Sequence, residues 1–220
     1  KEYAPSMVTA FIRLNGATVG CVANRSEVYT DGEKTATYDA ALTAAGCEKA
    51  AAFVNFCNAF EIPVLTLVNV DGYKNCKCNE KKIAKAAARL TYAFANADVP
   101  KVTVVVGKAN GTAGLTMNSK SIGSDIVYAW KNAKIGVMEA APAVKIMYAD
   151  EIAKADNAAA LINEKTAQYN EMQASALAAA KRGYVDDIIE ASETRQRVAA
   201  AFEMLFTKRE DRPAKKHGTV

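Results

Sequence analysis

Histidine is almost absent from the sequence, since the only one, His217, lies close to the last residue and next to Gly218. Catalytic triads, His-ligated metals and proton relays through histidine all need a positioned imidazole. An imidazole in such a terminal stretch is a poor candidate for any of these roles. No other side chains form an obvious acid–base pair. An enzyme with this sequence would therefore need a cofactor that brings the base, or backbone groups that stabilise charge.

Long apolar runs and ordered cysteine patterns are also lacking. No run approaches the ~20 apolar residues of a membrane span, so no membrane span is expected. The chain opens at Lys1 without a signal-peptide pattern, and we expect it to be processed or cut from something longer. The five cysteines are odd in number and scattered, which favours a reducing, cytoplasmic setting. Cys76 and Cys78 form a C-x-C that is interpreted as two loop thiols, and no metal site is predicted.

The charges are nearly balanced, with 28 Lys and Arg against 24 Asp and Glu. Their one dense basic cluster lies in a polar tail at 208–220, which is not the basic face that nucleic-acid binding needs. Half of the residues are hydrophobic, enough for a well-packed core at this length. No interior linker or repeat divides the chain, so residues 1–220 are predicted to form a single domain.

Buried strands alternate with helices along the chain, which predicts an α/β fold with largely parallel strands. Asn15-Gly16 joins the first two strands as a hairpin turn. The polar stretch 25–46 lacks periodicity and is predicted to be a loop insert. A helical region is expected over about 143–180, broken near 156–157. The strands expected are 7–14, 18–24, 64–68, 101–106, 126–130, 134–138 and 184–189.

One segment could carry chemistry, the small-residue run at 107–114 between a buried strand and a helix. Small residues let a backbone approach a ligand closely, and the first amides of a helix point outward unpaired. Such a turn suits an oxyanion or a phosphate. The pattern matches no complete nucleotide fingerprint, and the local pattern alone slightly favours a tight connection built only for packing. Glu139, after the strand at 135–138, is interpreted as a helix-start carboxylate.

Taken together, many blocks of the sequence resemble the C-terminal domain of biotin-dependent carboxyltransferases, the family of acyl-CoA carboxylase subunits and acyl-CoA decarboxylases. Among them are KANGTAGLTM at 108–117 and RGYVDDIIE at 182–190. The similarity follows the family's order over nearly the whole chain. The other matching blocks lie at 7–16, 19–24, 48–63, 99–104, 123–126, 129–130, 193–195 and 215–218.

The resemblance implies a crotonase-like fold, a spiral of ββα units, and transfer of a carboxyl group between carboxybiotin and an acyl-CoA. In the family, biotin itself brings the base, and the protein contributes positioning and backbone donors. By match to the family turn, the donors are the amides of Thr112 and Ala113. Gly111 and Gly72 are implied to bind the biotin cofactor together with these two residues, and Leu115 to lie near the acyl pocket.

The resemblance also implies partners: an N-terminal carboxyltransferase half, a biotin carboxyl carrier, acyl-CoA, and a homo- or hetero-oligomer that is often a hexamer. Two departures from the family pattern leave an alternative open. Thr112 stands where the family usually has glycine, and the family's Pro-Gly loop is replaced by the different sequence 69–79. The alternative is a non-catalytic scaffold or assembly partner of a carboxyltransferase complex.

Overall fold

The computed structural model describes residues 3–155 and 157–210. Its strands are β1 (Met7–Leu14), β2 (Ala17–Asn24), β3 (Glu27–Thr30), β4 (Glu33–Thr37), β5 (Ala41–Leu42), β6 (Val64–Val70), β7 (Gly72–Tyr73), β8 (Lys101–Asn110), β9 (Ile126–Trp130), β10 (Lys134–Gly136) and β11 (Asp187–Ile189). The helices are α1 (Ala44–Ala59), α2 (Lys77–Asn96), α3 (Gly111–Thr116), α4 (Ala140–Met147), α5 (Ala149–Lys154), α6 (Ala158–Met172), α7 (Ala176–Lys181) and α8 (Thr194–Met204).

The main sheet has seven strands in the order β1-β2-β6-β8-β9-β11, and β10 pairs with β8 off this path. Only the β1–β2 hairpin is antiparallel, whereas the other pairings in this sheet are parallel. Parallel neighbours need crossover connections. The helix α1 lies in the connection from β2 to β6, α2 lies in the connection from β6 to β8, and α8 follows β11. The α/β prediction with largely parallel strands is confirmed.

Both faces of the sheet are covered by helices, as its apolar strands require. On one face, Val54 and Leu90, from α1 and α2, pack with Val64 and Val105 of the sheet in a large buried cluster. On the other face, Phe202 of α8 packs in a second buried cluster with Val102 and Val104. The α1 helix begins after Thr43, whose side-chain oxygen accepts a hydrogen bond from the Gly46 amide at 3.0 Å.

The predicted loop insert at 25–46 is corrected, because this stretch contains regular structure. Strands β3 and β4 form an antiparallel hairpin, β5 pairs with β7, and α1 begins at Ala44. Asp31 and Gly32 both have positive φ, 52° and 85°, as a two-residue hairpin turn requires. The Asp-Gly pair between β-branched residues is the signal that the sequence interpretation missed.

Two other expectations change at the C-terminal side. The helical region is divided into α4 to α7 and begins at Ala140 rather than near residue 143. Lys208, predicted to belong to a solvated tail, is largely buried and its ammonium lies 3.0 Å from Asp125. Residues 211–220, which include His217 and most of the basic cluster, lie outside the described residues. Within the described ranges, no helix combines the length and apolar character of a membrane span.

Candidate active site

A bulge in β8 shapes the site. Val68 of β6 pairs with Val105, whereas Val70 pairs with Ala109, so Asn69 alone lies opposite 106–108. The Asn69 side-chain oxygen accepts a hydrogen bond from the Lys108 amide at 3.0 Å and thereby fills the gap in the ladder. Bulges of this kind re-aim a strand and are frequent beside functional sites.

The bulge also marks a change of partner along β8. Before it, 102–105 pair with β9, and after it, 108–110 pair with β10. The end of β8 therefore leaves the path of the main sheet and delivers Asn110 to the start of α3. The segment 107–114, predicted as one turn, is in fact the end of a strand followed directly by a helix.

The first turn of α3 contains backbone donors without an intrahelical acceptor. Gly111 begins the helix with φ of 58°, a conformation that glycine adopts without strain. The first amides of a helix have no intrahelical acceptor, and the Asn110 side chain does not cap them. These first amides include those of Thr112 and Ala113. Gly114 lies so close to β8 that a Cβ added there would be 2.7 Å from the carbonyl carbon of Ala109.

A cavity of about 540 Å³ opens beside this turn. Gly111, Thr112, Gly114 and Leu115 all line it, and its surface is mostly apolar, with contributions from side chains of β6, β8, β9 and β10. Polar groups near it include Ser119, whose hydroxyl oxygen is buried without a hydrogen-bond partner among the described residues. The further polar side chains lining the cavity come from Thr103, Lys120, Ser121, Tyr169, Gln173, Arg182 and Tyr184.

Charged side chains cluster on the β8 side of the turn. The Lys108 ammonium lies 2.7 Å from a Glu139 oxygen and 2.9 Å from an Asp71 oxygen. Hydrogen bonds to Glu139 and then to Asp71 raise the pKa of Lys108, so its charge persists well above neutral pH. Glu139 stands at the start of α4, as predicted, but its side chain does not cap that helix.

The structure brings together four of the five predicted site residues. Gly111, Thr112 and Leu115 line the cavity, and Ala113, which is buried, lies between them in the same helix. Gly72 does not line this cavity, since it is part of β7 and pairs with Ala41. Sequence reasoning missed Lys108 and Asp71, and only a link between residues far apart in sequence could have revealed them.

Three of the cysteines are buried, and the prediction of loop thiols at Cys76 and Cys78 is corrected. Cys21, Cys47 and Cys57 are buried, and burial raises the pKa of the Cys47 thiol to about 12. Cys76 and Cys78 are free thiols whose sulfur atoms lie 3.0 Å apart at the start of α2 rather than in a loop. Among the described residues, no group of three or more His, Cys, Asp or Glu side chains is placed to hold a metal ion.

Comparison with known proteins identifies the class to which this fold and site belong. Residues 1–220 match the carboxyl transferase domain family, and the chain belongs to that family. The chain is 42% identical over 217 residues to the methylmalonyl-CoA carboxyltransferase 12S subunit of Propionibacterium freudenreichii subsp. shermanii, covering 98% of this chain and 40% of that protein. It is 41% identical over 226 residues to the methylmalonyl-CoA decarboxylase subunit alpha of Propionigenium modestum, covering 100% of this chain and 41% of that protein.

A solved structure gives the same result. This chain superposes with a TM-score of 0.90, at 41% identity, on a chain of the transcarboxylase 12S hexamer crystallised with methylmalonyl-coenzyme A and methylmalonic acid. The match covers 99% of this chain and 40% of that one. The family resemblance and the crotonase-like fold implied by it are therefore confirmed. The chain spans about two fifths of the length of these relatives.

Proposed function

We propose that this chain is the carboxybiotin-side domain of a biotin-dependent carboxyltransferase that transfers a carboxyl group between carboxybiotin and an acyl-CoA. One observation carries the proposal: the small-residue turn 111–115 lines an apolar cavity in a chain that belongs to the carboxyl transferase domain family. Residues 1–220 act in this proposal as one domain, to which the N-terminal half of the enzyme supplies the acyl-CoA side.

The volume and the apolar lining of the cavity support biotin as its ligand. Its walls are mostly apolar, its volume of about 540 Å³ lies in the range of small-molecule sites, and Gly111 and Gly114 contribute to its lining. The unpartnered Ser119 hydroxyl offers one further hydrogen bond to a polar ligand atom. When bound, carboxybiotin supplies the carboxyl group and, once that group has left, the base.

The side chains and backbone of this domain then have three tasks. The amides of Thr112 and Ala113 donate hydrogen bonds to the negatively charged oxygen of the ligand, as preorganised donors in a dry site do. The apolar walls exclude water and hold the reacting groups in line. Leu115, 45% exposed at the cavity wall, contacts the acyl side and favours an apolar acyl group weakly.

Thr112 bears directly on the proposal, because the family usually has glycine at this position. Its φ is that of an ordinary helical residue, since only Gly111 has a positive φ at this turn. A threonine is therefore compatible with the backbone here. Its side chain lines the cavity, so it narrows the space above the donors rather than removing them.

We propose the partners implied by the family: an N-terminal half, a biotin carrier and an oligomer of the hexameric kind. Methylmalonyl-CoA and propionyl-CoA, which name several relatives, are the acyl-CoA substrates to test first. A reducing, cytoplasmic compartment is supported by the five cysteines, all of which are free thiols.

The test reconstitutes this chain with the N-terminal half and measures carboxyl transfer from carboxybiotin to propionyl-CoA, and in reverse from methylmalonyl-CoA to biotin. Transfer in the assembled complex supports the proposal. An assembled complex without transfer, combined with no biotin binding by calorimetry, would instead establish the scaffold alternative. Thr112→Pro serves as the matched variant, because proline removes the amide donor at position 112 and is tolerated in the first turn of a helix.

A further inference from the structure

Lys108 connects two segments that flank the α3 turn. Its ammonium lies 2.7 Å from Glu139, which precedes α4, and 2.9 Å from Asp71, which follows β6. Asn110, the residue just before α3, adds a longer contact of 3.4 Å from its side-chain nitrogen to Asp71. The three charged side chains are only partly exposed, between 34% and 51% of their full accessibility.

The segment held through Glu139 touches the first residue of α3. A Cβ added at Gly111 would lie 3.0 Å from the carbonyl oxygen of Val137, so the chain before α4 packs closely against this glycine. Glu139 does not use its carboxylate to cap α4. Its carboxylate instead bonds to Lys108, which fixes the chain at 137–139 beside the turn.

The segment held through Asp71 touches the other end of the same helix. Tyr73, two residues further on, has its hydroxyl 3.1 Å from the hydroxyl of Thr116. Thr116 in turn donates a hydrogen bond of 2.9 Å to the carbonyl oxygen of Thr112. Lys108 thus holds the two segments that contact α3 at its first and last residues.

We propose that Lys108 is a positioning residue: it fixes the segments carrying Asp71 and Glu139 so that the amides at the start of α3 keep the direction required for carboxyl transfer. The inference rests on the proposed function for its catalytic consequence. The restraint of α3 by Lys108 does not depend on that function.

The positioning role requires a positive charge at residue 108, because its two partners, Asp71 and Glu139, are both carboxylates. Without the ammonium, two carboxylates face one another across the end of β8, and like charges repel. Loss of Lys108 therefore pushes the two segments apart rather than merely deleting a contact. Neutralising Asp71 and Glu139 at the same time removes that repulsion. A guanidinium at position 108 keeps the charge and the donors.

The first experiment measures amide hydrogen exchange at 114–116 in the intact protein, because these amides have intrahelical acceptors whereas the amides before them in α3 do not. Lys108→Met is expected to increase exchange there by about fivefold, because a charge network of this partial exposure contributes on the order of 1 kcal/mol. Lys108→Arg and the triple variant Asp71→Asn/Lys108→Met/Glu139→Gln are expected to restore most of the protection. Lys131→Met, which removes a surface ion pair with Glu190, is the matched control with no change expected at 114–116. Unchanged exchange in Lys108→Met would overturn the inference.

The second experiment measures carboxyl transfer by the reconstituted enzyme. Lys108→Met is expected to lower kcat by roughly ten- to a hundredfold, the effect of misplaced groups in a reaction centre, with KM for acyl-CoA unchanged. A rise in KM alone would contradict a positioning role. If the unmodified enzyme transfers no carboxyl group, the proposed function fails, whereas the exchange measurement still decides whether Lys108 restrains α3.

Discussion

The bulge in β8 leads to a quantitative prediction about Gly107. A Cβ atom added there would lie 2.4 Å from the side-chain oxygen of Asn69 and 2.8 Å from its Cγ. In Gly107→Ala the Asn69 side chain must turn away, and the Lys108 amide then loses the acceptor of its 3.0 Å hydrogen bond. We expect a cost of about 1–3 kcal/mol for the unpaired donor and about 0.5–1.5 kcal/mol for the displaced rotamer.

A second substitution separates the steric clash from the lost hydrogen bond. Asn69→Ala also removes the acceptor of the Lys108 amide, at a cost of about 1–3 kcal/mol, but it leaves space beside Gly107. The contacts between Asn24 and Asn69 survive, because they use the backbone of Asn69. Adding Gly107→Ala to Asn69→Ala should therefore change the stability by less than about 0.5 kcal/mol.

The assay is urea denaturation of the four proteins, read as midpoints at a constant m-value. Gly72→Ala is the control, since a Cβ added at Gly72 meets nothing within 4 Å. The reasoning is refuted if Gly107→Ala costs the same with Asn69 present as with Asn69→Ala, or if it costs nothing in the native background. In either case Asn69 would not be the residue that requires glycine at position 107.

Three further predictions concern other parts of the fold. Gly114→Ala should destabilise by about 1–3 kcal/mol in urea, because the added Cβ meets the Ala109 backbone, which cannot rotate away. Thr43→Ala should cost about 1 kcal/mol by loss of the α1 cap, whereas Thr43→Ser should cost much less. The stability that burial of neutral Cys47 provides is complete below about pH 9 and declines as pH rises toward its folded pKa of about 12. Urea midpoints should therefore fall less steeply above about pH 9 in Cys47→Ala, and identical slopes would contradict the assignment.

Much of the architecture could be predicted because it depends on local patterns. Continuous apolar runs gave β6, β8 and β9, and the Asn15-Gly16 pair gave the first hairpin. The second hairpin was missed although Asp31-Gly32 is an equally strong turn signal, because its strands are short and exposed and show no apolar alternation. A strand that buries no face leaves little trace in a hydrophobic pattern.

The site was predictable only in part, for a different physical reason. The small residues at 111–114 identify a close backbone approach, and the family resemblance gave it a role. The cluster around Lys108, by contrast, joins side chains from one strand and two separate connections, and charged residues at 71 and 139 look like ordinary surface residues when each is considered alone. The bulge could not be predicted either, because a glycine at position 107 suggests the start of a turn, whereas Gly107 lies inside β8.

Because of the close contact between Gly114 and the backbone of Ala109, the position of α3 is set independently of the side chains that line the cavity. Main-chain atoms of α3 and β8 meet directly, so their distance does not depend on the size of any neighbouring side chain. Under the proposed function, substitutions at the cavity wall, for example at Leu115, would alter which acyl group is accepted while the amides at the start of α3 stay where they are. A domain built this way would acquire new substrates by changing its lining without relocating its chemistry.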